Sequence, residues 1–155
     1  MNGRNAWFKC LALALCLCAA GALAEGGERT FALRFDEGFT LSLPEGWVSY
    51  PALEGPIRYI LGAGDGARFL YILVQPAPDG GFEAMRAAIE ANADCGRTSP
   101  LDLNGRTFAA FIAPRLNASG CATLADGKVV TFLFAPQDDS DFMLTAAGIM
   151  GSIKF

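Results

Sequence analysis

The side chains that do most acid–base and metal chemistry are thinly supplied in this chain. Its 155 residues include no histidine. That excludes Ser-His-Asp and Cys-His nucleophilic sites and His-ligated metals built within the chain. Ser42, Ser49, Ser99, Ser119, Ser140 and Ser152 remain, but none stands in Gly-x-Ser-x-Gly. Neither Lys128 nor Lys154 completes a Ser-x-x-Lys pair. Asp138-Asp139-Ser140-Asp141 offers three carboxylates. A calcium loop needs more oxygen ligands at ordered spacing and a turn glycine. The run fits a helix N-terminus better, where acids complement the dipole. Asp36-Glu37 reads as a solvated turn. Gly62-Ala-Gly-Asp-Gly66 has the look of a nucleotide loop, yet it lies between two strand-like runs and no Lys-Ser/Thr follows. A hairpin is the better reading. No carboxylate pair can be given a catalytic separation, so a glycosidase has no support. The expectation is no metal, no cofactor and no catalysis.

Cysteine is the other reactive type, and most of it sits in a leader. Arg4 and Lys9 precede the apolar run Cys10–Gly21, and Ala22-Leu-Ala24 places small residues before a cut. This is a secretory signal pattern over residues 1–24, with the mature domain at 25–155. Twelve apolar residues reach about 18 Å as a helix, short of a hydrocarbon core near 30 Å. Cys10, Cys16 and Cys18 follow Lys or Leu, so none makes a lipidation box. Removing Arg4 and Lys9 leaves 10 basic against 16 acidic residues, a net charge of −6. That argues against nucleic acid, which selects a basic surface. No later run approaches membrane length, so no membrane span is expected after cleavage. Cys95 and Cys121 alone remain. Two cysteines in an exported domain read first as one disulfide, worth roughly 3.5 kcal/mol in the chain-entropy picture for this loop. Unlinked thiols are the alternative, since spacing cannot show proximity. No Cys-x-x-Cys supports redox work.

Any surface must be positioned by the elements between these residues. Asp65-Gly66, Asn104-Gly105 and Asp126-Gly127 each lie between a pair of apolar runs, and Asp36-Glu37-Gly38 marks a looser turn. Such dipeptides tolerate the positive φ of type I′ turns, so hairpins are expected. Residues 30–35 and 39–43 alternate apolar with polar, which predicts one packed face. Residues 69–74 and 129–134 are apolar nearly throughout and predict central strands covered on both faces. Phe82, Met85, Ile89 and Ala93 form a helical stripe, with Asp79 as the expected cap and Gly96 as a stop. Ser140 to about Ser152 predicts a second helix, capped by Ser140 or Asp141, with Phe142, Ala146, Ile149 and Ile153 inward. Residues 44–57 read as irregular. The order of strands and helices is that of an α+β fold.

Phe39-Thr-Leu-Ser-Leu-Pro-Glu-Gly-Trp47 resembles the strand and Pro-x-Gly-Trp opening of the PsbP-like superfamily, which includes DcrB-type and secreted domains of unknown function. The hairpins at Leu103-Asn-Gly-Arg106 and Ala125-Asp-Gly-Lys128, and the closing Ile149-Met-Gly-Ser-Ile-Lys-Phe155, are similar in order to those domains. The resemblance implies an α/β/α sandwich around a mainly antiparallel sheet with two main helices. It implies binding or accessory roles and carries over no catalytic residues. Trp47 and Tyr50 on the irregular stretch are a candidate binding surface. The other reading, favoured by the Pro-x-Gly-Trp position, has Trp47 plugging one end of the sandwich. The expected function is a secreted or periplasmic, non-catalytic accessory domain whose partner is an extracytoplasmic protein or envelope component. The alternatives are a small-molecule carrier, a His-free hydrolase using carboxylates, or a structural subunit of a secreted assembly.

Overall fold

A computed structural model describes residues 29–155 apart from Leu53. The expected leader and its three cysteines lie outside the described residues. Among the described residues nine strands form: β1 (Thr30–Arg34), β2 (Thr40–Pro44), β3 (Val48–Tyr50), β4 (Ile57–Gly62), β5 (Phe69–Pro76), β6 (Ser99–Leu103), β7 (Arg106–Ala113), β8 (Ala118–Ala125) and β9 (Lys128–Ala135). Two α-helices accompany them, α1 (Gly81–Ala91) and α2 (Ser140–Gly151).

Turn chemistry sets several of these boundaries. Asn104 and Gly105 have φ of 50° and 78°, and Asp126 and Gly127 have 48° and 72°, as two-residue hairpins with the right twist require. The Asp65-Gly66 hairpin differs from expectation. Only Gly66 takes positive φ, and the loop is closed by the Ala63 N–H donating to Arg68 O at 2.9 Å. Asn117, also left-handed at 47°, ends a short 3₁₀ turn that folds β7 back onto β8. The two later hairpins are therefore one meander, β6-β7-β8-β9. Residues 48–50, expected to be irregular, instead form β3 at the sheet edge, paired with β4.

The sheet order is β3-β4-β5-β9-β8-β7-β6, antiparallel throughout, and β1-β2 forms a separate two-stranded sheet. The two runs expected to be central, β5 and β9, pair directly in the middle of the order. Strand alternation sends residues to two cores. Phe39, Leu41 and Leu43 of the hairpin, Phe132 of β9, and Phe142 and Ile149 of α2 fill the first. Met85 of α1 packs on Ala109, Phe111, Ala122 and Val129 in the second. The result is an α/β/α sandwich of the α+β class, with the hairpin sharing one outer layer with α2.

The helix caps are not where the sequence placed them. Asp139, one residue before the expected cap, accepts from the Phe142 N–H at 2.9 Å and from Arg68 Nε at 2.9 Å. The Phe142 hydrogen bond, with Arg68 in support, holds its carboxyl below the usual range. Gly80, at φ 103°, precedes α1 with no side-chain cap, so Asp79 does not cap it. A left-handed glycine there turns the chain into the helix. The stripe of α2 is buried as expected, and Gly148 lies on its exposed side. Beyond α2, Thr40 and Lys154 exchange two backbone hydrogen bonds, and Ser152 Oγ accepts from the Ser42 N–H at 2.8 Å. These bonds tie the hairpin layer to the end of α2.

Candidate functional site

Seven strands at about 4.8 Å spacing make a sheet about 29 Å wide, whereas one helix with its side chains covers about 10 Å. On the first face α2 and the β1-β2 hairpin together cover the sheet. On the second face α1 is the only helix among the described residues, and it sits over β7, β8 and β9. Beyond it Phe69, Tyr71, Leu73 and Leu133 are left half-buried.

The position of α1 is set from one flank. Arg86 Nε donates to Thr98 Oγ1 at 2.9 Å, and Thr98 donates to Glu90 Oε1 through its N–H at 2.8 Å and its hydroxyl at 2.7 Å. The two Thr98 bonds, hydroxyl first, hold the Glu90 carboxyl below its ordinary range. Thr98 precedes β6, so this network draws α1 toward that edge. The opposite flank, carrying Ala88 and Asn92, borders a groove of about 460 Å³. Leu73, Gln75, Thr131 and Leu133 of the sheet line it, with Met85 and Ile89 of α1 and Phe111, Leu116, Asp94 and Cys95. The lining is mainly apolar. Asp94 is the charged residue on it. Its carboxylate lies 3.5 Å from Arg115, a surface pair whose arginine side chain is 72% exposed.

Two glycines flatten the floor of this face. A Cβ on Gly120 would stand 2.7 Å from both Phe111 Cε2 and Leu133 Cδ2. The Phe111 ring therefore lies across the sheet in the space a side chain would occupy. Gly62 is similar, since a Cβ there would meet Tyr50 Cε2 at 2.8 Å and Phe69 Cδ1 at 3.0 Å. Tyr50, Phe69 and Tyr71 follow one another at 5.7 and 5.9 Å between ring centroids. Tyr71 is opposite Leu133, so this half-buried aromatic strip runs into the groove.

The structure separates the residues singled out in the sequence. Trp47 is 8% exposed and stacks on Phe142 at 6.2 Å in the first core. Tyr50 lies on the opposite face of the sheet, so the two do not form one surface. Cys95 and Cys121 are likewise apart. Cys121 points from β8 into the core beneath α2, while Cys95 follows α1 and packs with the second core. The sheet lies between them and no disulfide joins them. This corrects the expected bridge, and strand parity is the reason, because odd positions of β8 face α2. Burial, with Asp94 adding to it, pushes the Cys95 thiol up. Asp138 accepts from Asn117 Nδ2 at 2.8 Å, Asp139 caps α2, and Asp141 lies in its first turn. Among the described residues no group of three or more Cys, Asp or Glu is placed to hold a metal, and no helix is long and apolar enough to cross a membrane. The groove itself was missed in the sequence. Its only signal there was one short helix to cover a face of many strands.

No protein-family model matches the sequence, and no curated protein matches it. Likeness is found among solved structures. One is the solution structure of cyanobacterial PsbP (CyanoP) from Synechocystis sp. PCC 6803, with a TM-score of 0.58 at 12% identity, covering 84% of this chain and 94% of that one. Another is a crystal structure from Bacteroides thetaiotaomicron VPI-5482, at TM-score 0.49 and 12% identity, of which this chain spans 48%. The cyanobacterial protein aligns over nearly its whole length. The sandwich described here has the PsbP-like fold.

Proposed function

We propose that this chain is an exported, non-catalytic binding domain that works outside the cytoplasmic membrane and engages its target through the part of the sheet face beyond α1. The leader pattern over residues 1–24 motivates export and leaves 25–155 as a single domain. The observation that carries the binding reading is the groove: an apolar concavity of about 460 Å³, within the size range of ligand sites, continuous with an aromatic strip. Aromatic side chains contribute most at recognition surfaces because they bury area with few rotors. A small-molecule carrier is the second reading, and the concave shape of the site favours it over flat protein contact. Carboxylate-based hydrolysis fits less well. It calls for two acids flanking a bond, and the groove presents one, Asp94.

The test is crosslinked capture with residues 25–155 as bait against envelope and culture fractions, run beside Ala88→Trp. Ala88 is exposed on the groove wall, so tryptophan fills the groove without entering a core. A target captured by the parent and lost with Ala88→Trp supports the assignment. A target captured equally by both places recognition elsewhere.

A further inference from the structure

The size and charge of the groove together define what it can hold. Resting on the reading that the groove is the binding site, we propose that its occupant is a slender cationic amphiphile, a single apolar chain ended by a protonated amine.

The groove, about 460 Å³, has the room and the lining for a single alkyl chain. Leu73, Leu133, Phe111, Met85 and Ile89 provide it with an apolar floor and wall.

Charge then sets the end group. Asp94 is the charged side chain on the groove lining, and it stands just past the C-terminus of α1. That helix end carries the negative pole of the dipole, and its last turn contains no basic residue. Asn92 also lines this end, its amide oxygen accepting from the Asp94 N–H at 2.9 Å and so fixing Asp94 beside the helix end. An ammonium placed there meets a carboxylate and a helix C-terminus. The competing cation is Arg115, at 3.5 Å and mostly exposed. Such a surface pair is weak, so an incoming amine displaces it at little cost. A carboxylate head would instead face Asp94 and the same pole. The amine can arrive on a free molecule or on a lipid, and the chemistry recognised is shared.

Calorimetric titration of residues 25–155 with octylammonium, octanol and octanoate tests this, with Asp94→Asn and Ala88→Trp as variants. Both substitutions are at solvent-accessible positions, and thermal midpoints check that the variants fold. Octylammonium is expected to bind about tenfold more tightly than octanoate, a difference of about 1.4 kcal/mol. The preference should weaken as salt rises. Asp94→Asn should remove it, and Ala88→Trp should abolish binding of all three. Adding vesicles doped with a long-chain amine then separates the sources. Recruitment to them, absent with Ala88→Trp, assigns a membrane-borne amine, and binding of octylammonium without recruitment assigns a free one. Equal affinity for the three heads, unchanged by Asp94→Asn, overturns the proposal. So does failure of every chain to bind while a protein is captured in an Ala88-dependent manner, which would leave the groove as the site and make its occupant a polypeptide. Binding untouched by Ala88→Trp overturns the site and the proposal together.

Discussion

The same substitution, glycine to alanine, should act with opposite sign at two positions. Gly120 lies in β8 and has no left-handed φ, so alanine suits its backbone. The conflict is steric. The added methyl would stand 2.7 Å from Phe111 Cε2 and 2.7 Å from Leu133 Cδ2, about 1 Å inside ordinary carbon contact. Phe111 is 3% exposed and cannot swing away without displacing its neighbours in the second core. Overpacking of this kind costs about 1–3 kcal/mol. Taking about 2 kcal/mol, and a urea slope of about 2 kcal/mol per molar for a domain of this size, the midpoint should fall by about 1 M. Gly148 is in mid-α2, exposed, with nothing within 4 Å of the position a Cβ would take. Alanine there removes a helix penalty of about 0.8–1 kcal/mol, and the midpoint should rise by about 0.4 M. Urea unfolding followed by circular dichroism and tryptophan fluorescence measures both. Gly120→Ala with an unchanged or higher midpoint, or Gly148→Ala with a lower one, would refute the packing argument. Because Phe111 and Leu133 also line the groove, Gly120→Ala should weaken octylammonium binding while Gly148→Ala leaves it alone.

Other outcomes follow from specific contacts. Met85→Ala should cost about 2–4 kcal/mol, since the side chain is 1% exposed beneath α1 and its removal leaves a cavity. The Tyr59 hydroxyl donates at 2.9 Å to Glu37, whose side chain is 6% exposed. Tyr59→Phe takes that donor from an enclosed carboxylate and should cost about 1–2 kcal/mol by urea titration. Asp139 is held below its ordinary pKa in the folded chain, so its stabilising contribution is present at neutral pH and is lost as pH falls below about 4. The stability gap between the parent and Asp139→Asn should therefore shrink on acidification, and a gap independent of pH would refute the capping role. Native alkylation of residues 25–155 should add one label per chain, at Cys95, slowly at neutral pH because its thiol is pushed up and faster as pH rises. Unfolding should admit a second label, and intact mass distinguishes this from a bridged pair, which would take none.

Local chemistry was legible in the sequence and long-range placement was not. Asn104-Gly105 and Asp126-Gly127 specify their turns by their own backbone preferences, and the turns formed there. The stripe Phe142, Ala146, Ile149 and Ile153 found its core because helical period alone decides which side faces inward. The junction of β5 with β9 joins segments more than fifty residues apart, and neither carries a mark for the other beyond being apolar. β3 was hidden because its pairing comes from Leu61 and Gly62 of β4 rather than from its own Pro- and Gly-flanked surroundings. Cys95 and Cys121 mislead because a bridge depends on the face each occupies, and Cys95 lies outside any strand whose parity could be counted. The groove arises from what α1 leaves uncovered, a property of the sheet width and of where Thr98 draws the helix.

The two edges of the large sheet bear on how this protein avoids joining itself. On one side β3 is only three residues long. On the other β6 carries Pro100, which has no N–H to offer, and the charged Asp102, held at 2.6 Å by the Thr107 hydroxyl. Short strands, prolines and charges are the means by which exposed sheet margins resist pairing with a neighbour's backbone. Pairing of backbone with backbone is thus disfavoured at both rims of the large sheet, and the surface left for contact is one built of side chains, where recognition can discriminate.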